Sequence, residues 1–302
     1  MQKQAAAGAP DSLTGWFAAL AAFIAGFVVF GVMYSFGVFF TPMHTEVHAT
    51  STATSVFFVV TGMLFYFSGY VTGRLSDRFG PRPIVGAGAF IMGAGLLLTA
   101  SAGQMWAGYL AYGIGVGIGA GCAYIPTLAV VGGWFTRHRN TALGLAAAGT
   151  GCGTLLMPPV AALLIQAHGW RAVYTMFGVG SFVLLLVCAW LVAPPPLARR
   201  GAGQKLRRII TTRPFVLLYA SWVLATTGLS ASWVFLAPSA RALGAGPLAA
   251  SALVSLIGGL SVLGRAGSGF VSERLGSLRL FKLSVFLMAV SYVLWLPFTA
   301  YA

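Results

Sequence analysis

Acidic residues are almost missing from this chain: 4 of 302 residues are Asp or Glu, and charged side chains of either sign make up 7%. A soluble domain carries about a quarter charged residues, so there is too little polar surface here to wet one. Cysteine is equally scarce, with 3 in the chain. Cys122, Cys152 and Cys188 lie singly inside apolar runs, with no paired spacing and no histidine cluster, which signals neither a disulfide framework nor a metal site. Short alternating strands are absent as well, which excludes an outer-membrane barrel. The run Trp16 to Phe40 is 25 residues long. That exceeds the roughly 7 to 15 of a secretory h-region, so no cleavable signal is read at the N-terminus and this run is expected to remain as the first span.

What is present is apolar sequence: 58% of residues, at a mean hydropathy of +0.88. Windows long enough to cross a hydrocarbon layer of roughly 30 Å recur down the chain. They predict nine helical spans, at Trp16 to Phe40, Ala53 to Gly73, Pro83 to Ala102, Gln104 to Val131, Thr141 to Gln166, Trp170 to Ala193, Pro214 to Ala237, Ala249 to Val271, and Leu280 to the end. A helix satisfies its own backbone in lipid, so each is expected as a tilted α-helix in an integral membrane protein.

The net charge of +14 would point to nucleic acid in a soluble chain, but the cations occupy the gaps between apolar runs, where they set orientation. Nucleic-acid binding is therefore excluded. One set of gaps holds Lys3, Arg74, Arg78, Arg82, Arg137, Arg139, Arg199, Arg200, Lys205, Arg207, Arg208, Arg213, Arg274, Arg279 and Lys282; the opposite set holds Arg171 and Arg241. Basic gaps stay inside, so the N-terminus is expected to be cytoplasmic, in a plasma or bacterial inner membrane. After Pro194-Pro195-Pro196 the stretch Arg199 to Arg213 carries six cations in fifteen residues. This divides the chain into a six-helix part at 1–193, a basic cytoplasmic linker at 194–213, and a three-helix part at 214–302.

Two segments match the pattern G-x-x-S-[DE]-R-x-G at an offset of 196 residues: Gly73-Arg74-Leu75-Ser76-Asp77-Arg78-Phe79-Gly80 and Gly269-Phe270-Val271-Ser272-Glu273-Arg274-Leu275-Gly276. They follow spans two and eight, so the second block reads as a duplicate of the first.

The run Gly73 to Arg82, lying between spans two and three, resembles the loop motif of the major facilitator superfamily. Gly113 through Tyr124, Pro126, Trp134, Phe135 and Arg139 to Gly149-Thr150-Gly151-Cys152-Gly153 and Pro158-Pro159 is similar to the monocarboxylate transporter and oxalate/formate antiporter branch. So is Phe30 to Phe40 of span one. The resemblance implies an all-α membrane bundle with a complete six-helix first half and three helices of the second. Members have twelve spans, and the chain is expected to be truncated after nine. Proton-coupled eukaryotic members carry a lysine in span one and an aspartate one turn before the span-eight arginine; here span one has no lysine, and Ser261 stands four residues before Arg265.

Arg265 belongs to neither set of gaps. It lies eight residues before Glu273, or roughly 12 Å into the membrane at about 1.5 Å per residue. A guanidinium there needs water, an anion or a carboxylate, and no acid falls within any predicted span. The reading is a substrate carboxylate held by the planar fork, against snorkelling or an acid on helices beyond the ninth. In the resembling branch this arginine binds substrate carboxylate. Tyr34 and Tyr124 are candidate hydroxyl donors beside it, with Trp222 and Trp233 as further lining candidates; simple packing is the alternative for each.

Gly113, Gly117 and Gly121 form a four-residue series that fails nucleotide-loop spacing and suits close helix packing. Gly144, Gly149, Gly151 and Gly153 before Pro158 and Pro159 suit packing with a local break. Gly73, Asp77, Arg78 and Arg82 either fix topology or, as the resemblance implies, latch the two halves. His44, Glu46 and His48 are expected in the first external loop. With no ATP loop and no assembled nucleophile, base or metal constellation, the expectation is a secondary transporter, not an enzyme and without cofactor, moving a small organic anion with protons or a counter-anion. The rivals are a drug or solute exporter of the same fold, and a receptor or inactive fragment.

Overall fold

The computed structural model describes residues 10–47, 51–195, 211–221, 224–225 and 247–299. Among them there are helices and short turns only: α1 (Leu13–Val47), α2 (Ser51–Phe79), α3 (Pro81–Ser101), α4 (Met105–Trp134), α5 (Arg139–His168), α6 (Trp170–Leu191), α7 (213–221), α8 (Pro247–Leu275) and α9 (Ser277–Thr299). The helices follow the expected spans, α1, α2, α5 and α8 running past them at both ends while α6 stops two residues short of Ala193; of the seventh expected span only 214–221 and 224–225 are described. α1, α3, α4, α5, α6 and α9 each contain a segment long and apolar enough to cross a membrane. Two placements differ from the sequence reading. His44 and Glu46 belong to α1 and not to a loop, and the charged run Gly73–Phe79 forms about the last two turns of α2. His48 and most of the basic linker lie outside the described residues.

The two copies of the repeated motif end their helices in the same way. Gly80 and Gly276 sit at φ of 89° and 83°, a region open to glycine and costly for other residues. Each donates its N–H to the carbonyl of the motif serine, Gly80 to Ser76 at 2.9 Å and Gly276 to Ser272 at 3.0 Å. The duplicated residues thus encode a helix stop, with Pro81 then opening α3.

The chain forms two compact units, Met1–Ala198 with Ser261–Phe270, and Arg199–Leu260 with Val271–Ala302. In the first, α1 packs on α5, α4 and α6, α3 packs on α4 and α6, and α2 packs on α4. The buried face of α1 opens on alanine: Ala18, Ala21, Ala22 and Ala25 are fully buried. Between helices in lipid no hydrophobic force favours contact, so small residues that bring backbones together take its place. Large side chains fall on both sides: Trp134, Phe39 and Phe135 are buried, whereas Trp190 is 77% and Phe67 72% exposed. Some buried hydroxyls bond within their own helix, as in Ser35 to the Gly31 carbonyl at 2.6 Å and Thr99 to Gly95 at 2.7 Å, and others reach a neighbouring helix, as in Thr72 to the Gly121 carbonyl at 3.2 Å. In the second unit, Leu217, Leu218, Phe281 and Phe286 line a shallow apolar groove on α7 and α9.

The segment before α1 is fastened to the α4–α5 turn. Asp11 accepts from the Thr136 hydroxyl at 2.7 Å and from the backbone N–H groups of Thr136, Arg137 and His138 at 3.3–3.4 Å. Its own N–H donates to the Trp134 carbonyl at 3.0 Å, and Trp16 meets Phe135 edge to face at 4.9 Å. The Thr136 hydroxyl, aided by the three N–H donors and opposed by desolvation, holds the Asp11 carboxyl below its ordinary value of 3.8. A depressed carboxylate contributes stability that is present above the ordinary value and lost as pH falls through the lowered one. Asp11 has φ 60°, which asparagine tolerates, so Asp11→Asn isolates the charge. The variant is expected to melt below the wild type in detergent at neutral pH, with the gap closing as the pH is taken below 3.8; a gap independent of pH would reject the charged clasp.

Candidate functional site

Arg265 projects from α8 onto the middle of α5, within the first compact unit. Its Nε donates to Ser261 Oγ, one turn back, at 3.0 Å. Its Nη1 donates to Thr150 Oγ1 and lies 3.5 Å from the Ala147 carbonyl. Thr150 is 2% exposed, and its hydroxyl hydrogen goes to that same Ala147 carbonyl at 2.8 Å. The side chain is therefore anchored by neutral oxygens on two of its nitrogens.

Counting residues gives each side chain's position along its helix. Thr150 stands eleven residues after the start of α5, Tyr124 ten before the end of α4, and Arg265 ten before the end of α8. At about 1.5 Å per residue each lies roughly 15 Å from the end of its helix that carries, or adjoins, the basic residues. The three residues thus stand at similar distances along their helices, and the Arg265 side chain bonds back to Ser261, away from the end of α8.

The sequence candidates Arg265, Tyr34 and Tyr124 come together. Both tyrosines lie within electrostatic range of the Arg265 guanidinium. Phe30 holds them apart and in place, with its ring 6.1 Å from Tyr34, stacked, and 5.2 Å from Tyr124, edge to face. Tyr124 is 8% exposed and Tyr34 41%, while Arg265 is exposed. Gly26 permits this arrangement: a Cβ there would lie 3.0 Å from the Thr150 methyl and 3.1 Å from the Tyr124 ring. Trp222 and Trp233 lie outside the described residues.

The remaining candidates are elsewhere. Gly113, Gly117 and Gly121 face α2: a Cβ at Gly117 would sit 2.9 Å from the Thr61 carbonyl, and Thr72 donates to the Gly121 carbonyl at 3.2 Å. The interleaved Gly115 and Gly119 face α3 at Gly95 and Met92, so α4 is squeezed on both sides. Gly149 and Gly153 lie against the α1 backbone at Phe23 and Phe27. α5 continues as helix through Pro158 and Pro159. Of the motif at the end of α2, Asp77 and Arg78 are exposed. Arg82 donates its Nε to the Val192 carbonyl at 2.8 Å, and Trp134 donates to the next carbonyl, Ala193, at 3.0 Å, so both tie down the end of α6.

Two participants had no signal of their own in the sequence. Thr150 was one small residue in a glycine run, and its role follows only from α8 lying beside α5. Asp11 is a lone acid ahead of the first apolar run, and its partners lie in the α4–α5 turn.

A bundle of helices, six of them with segments long and apolar enough to cross a membrane, is the architecture of an integral multi-pass membrane protein. The chain belongs to the Major Facilitator Superfamily, whose sequence profile matches residues 22–302. It is 31% identical over 268 residues to monocarboxylate transporter 13 of Bos taurus, covering 87% of this chain and 63% of that protein. It is 29% identical over 301 residues to MFS transporter asaE of Aspergillus flavus, covering 97% and 68%. The chain thus spans less than two thirds of the length of the first of these. Among solved structures, the D-xylose-proton symporter matches at 19% identity and a TM-score of 0.50 over 83% of this chain and 66% of that one. A peptide transporter mutant in complex with sulfate matches at 18% and 0.51, over 75% and 52%. These likenesses are to transporters, not enzymes, and the two structures establish the fold.

Proposed function

We propose that this chain serves a secondary transporter that moves a small organic anion, a mono- or dicarboxylate, by alternating access, as proton symport or anion exchange. One observation supports the reading: the Arg265 guanidinium is held by Ser261 and Thr150, neither of which neutralises it. A cation in a low-dielectric site is costly until an anion meets it. A substrate carboxylate supplies that charge and matches the Nη1–Nη2 edge of the fork. Tyr34 and Tyr124 add hydroxyl donors beside it. The N-terminus is cytoplasmic in this reading. Gly73, Asp77, Arg78 and Arg82 form the latch on that side, and Gly149, Gly153 and Pro158 let α5 slide and bend against α1.

Purified protein in proteoliposomes is expected to take up labelled lactate, formate or oxalate saturably. Unlabelled carboxylates should compete, and lactamide, the same size as lactate but uncharged, should not. Equal competition by lactamide and lactate would remove the charge argument. Absence of saturable uptake of all three anions would favour the receptor or inactive-fragment reading.

A further inference from the structure

We infer that Thr150 is a positioning residue for substrate recognition: it fixes the rotation of the Arg265 guanidinium and so sets the affinity for the anion. The inference rests on the proposed carboxylate site and adds to it a residue that does not itself touch the ligand.

The argument follows the hydrogens. A threonine hydroxyl has one hydrogen to give and two lone pairs to receive. At Thr150 the hydrogen is already committed to the Ala147 carbonyl at 2.8 Å, three residues back on the same helix. What the oxygen offers beyond that is acceptor capacity alone, and Arg265 Nη1 takes it. The hydroxyl therefore cannot serve as a donor to a substrate carboxylate without breaking its helix bond. Its orientation suits a cation.

The second anchor alone does not fix the fork. Ser261 lies on the same helix as Arg265 and engages Nε at 3.0 Å, which leaves rotation about that bond open. Thr150 comes from another helix and engages Nη1, so the pair defines the plane of the guanidinium. Thr150 is itself immobile: it is 2% exposed, with its methyl group and the Tyr124 ring both packed on the space at Gly26. A buried, fully committed hydroxyl is a rigid stop, and rigid placement of a fork is what makes bidentate recognition strong. The Ala147 carbonyl, at 3.5 Å from Nη1, is a poor substitute by distance.

The test compares Thr150→Val, Thr150→Ser and Thr150→Ala with the wild type and with Arg265→Gln, in proteoliposomes loaded with equal amounts of monodisperse full chain, using labelled lactate, formate and oxalate. Valine keeps the shape and removes the acceptor; serine keeps the acceptor. Loss of a hydrogen bond to a charged group is expected to raise KM by about tenfold or more in Thr150→Val, with Vmax held within about twofold. Thr150→Ser is expected to stay within about twofold of the wild-type KM. Thr150→Ala removes the same oxygen without adding bulk, so it gives the reading if the valine variant does not fold. Wild-type KM in both Thr150→Val and Thr150→Ala while Arg265→Gln abolishes uptake would overturn the role of Thr150 alone. So would a serine variant as impaired as the valine one. Uptake unaffected in Arg265→Gln would overturn the carboxylate site beneath it.

Discussion

Arg265→Lys is expected to lose at least about tenfold in anion uptake although the charge is kept, and Arg265→Gln to fall to the level of protein-free liposomes. The reason is geometric. Nε and Nη1 are already engaged by Ser261 and Thr150 on two different helices, so the arginine presents a planar edge whose direction is fixed by its anchors. A lysine ammonium is a compact point charge on a flexible stem and cannot hold two anchors while offering two parallel donors. The loss of one well-placed bond to a charged group is worth about 1.5–3 kcal/mol, or roughly ten- to a hundredfold in affinity. Glutamine removes the charge altogether, and the transferred anion then has no counter-charge. Neither variant should unfold the bundle. Arg265 is exposed, so the melting midpoint of Arg265→Gln in detergent is expected to stay close to that of the wild type. Initial uptake rates and melting curves on the same preparations decide the matter. A lysine variant with wild-type KM would show that charge alone suffices, and a glutamine variant that collapses on purification would make Arg265 a structural residue.

Much of the fold was legible because lipid selects for long apolar runs, and the helices sit where those runs fall. Charge marked the membrane edge but not the helix end. At Gly73–Phe79 the chain stays helical through Arg74, Asp77 and Arg78, and it stops at Gly80, where a positive φ and the following Pro81 intervene. His44 and Glu46 fall within α1 for the same reason. The site was half legible. Arg265 stands out because a cation inside an apolar run conflicts with its surroundings. Thr150 and Ser261 do not, since small hydroxyl residues occur throughout and their value depends on which helices are neighbours. The glycines illustrate the same boundary. A four-residue series on α4 is visible in sequence, but that its members face α2 while Gly115 and Gly119 face α3 is decided only by packing.

Gly149→Ala is expected to be among the most damaging small substitutions in the chain. A Cβ at Gly149 would land on the carbonyl oxygen of Phe23 and lie 2.7 and 2.8 Å from the carbonyl carbon and Cα of that residue. All three are backbone atoms of α1, so no side chain can swing aside; α1 itself must move away from α5. Gly153 repeats the contact one turn on, against Phe27 and, at 2.9 Å, the Gly31 nitrogen, so a displacement at one position opens the other. Overpacking of this kind costs about 1–3 kcal/mol, against a total stability that is itself only about 5–15 kcal/mol. Gly86 and Gly180 supply the control, because a Cβ at either would meet nothing within 4 Å. Alanine there should be neutral or stabilise by about 0.5–1 kcal/mol, through the higher helix propensity of alanine. Melting midpoints and the monodisperse fraction in detergent are the measurements. If Gly149→Ala melts with Gly86→Ala and Gly180→Ala, then α1 and α5 do not meet backbone to backbone.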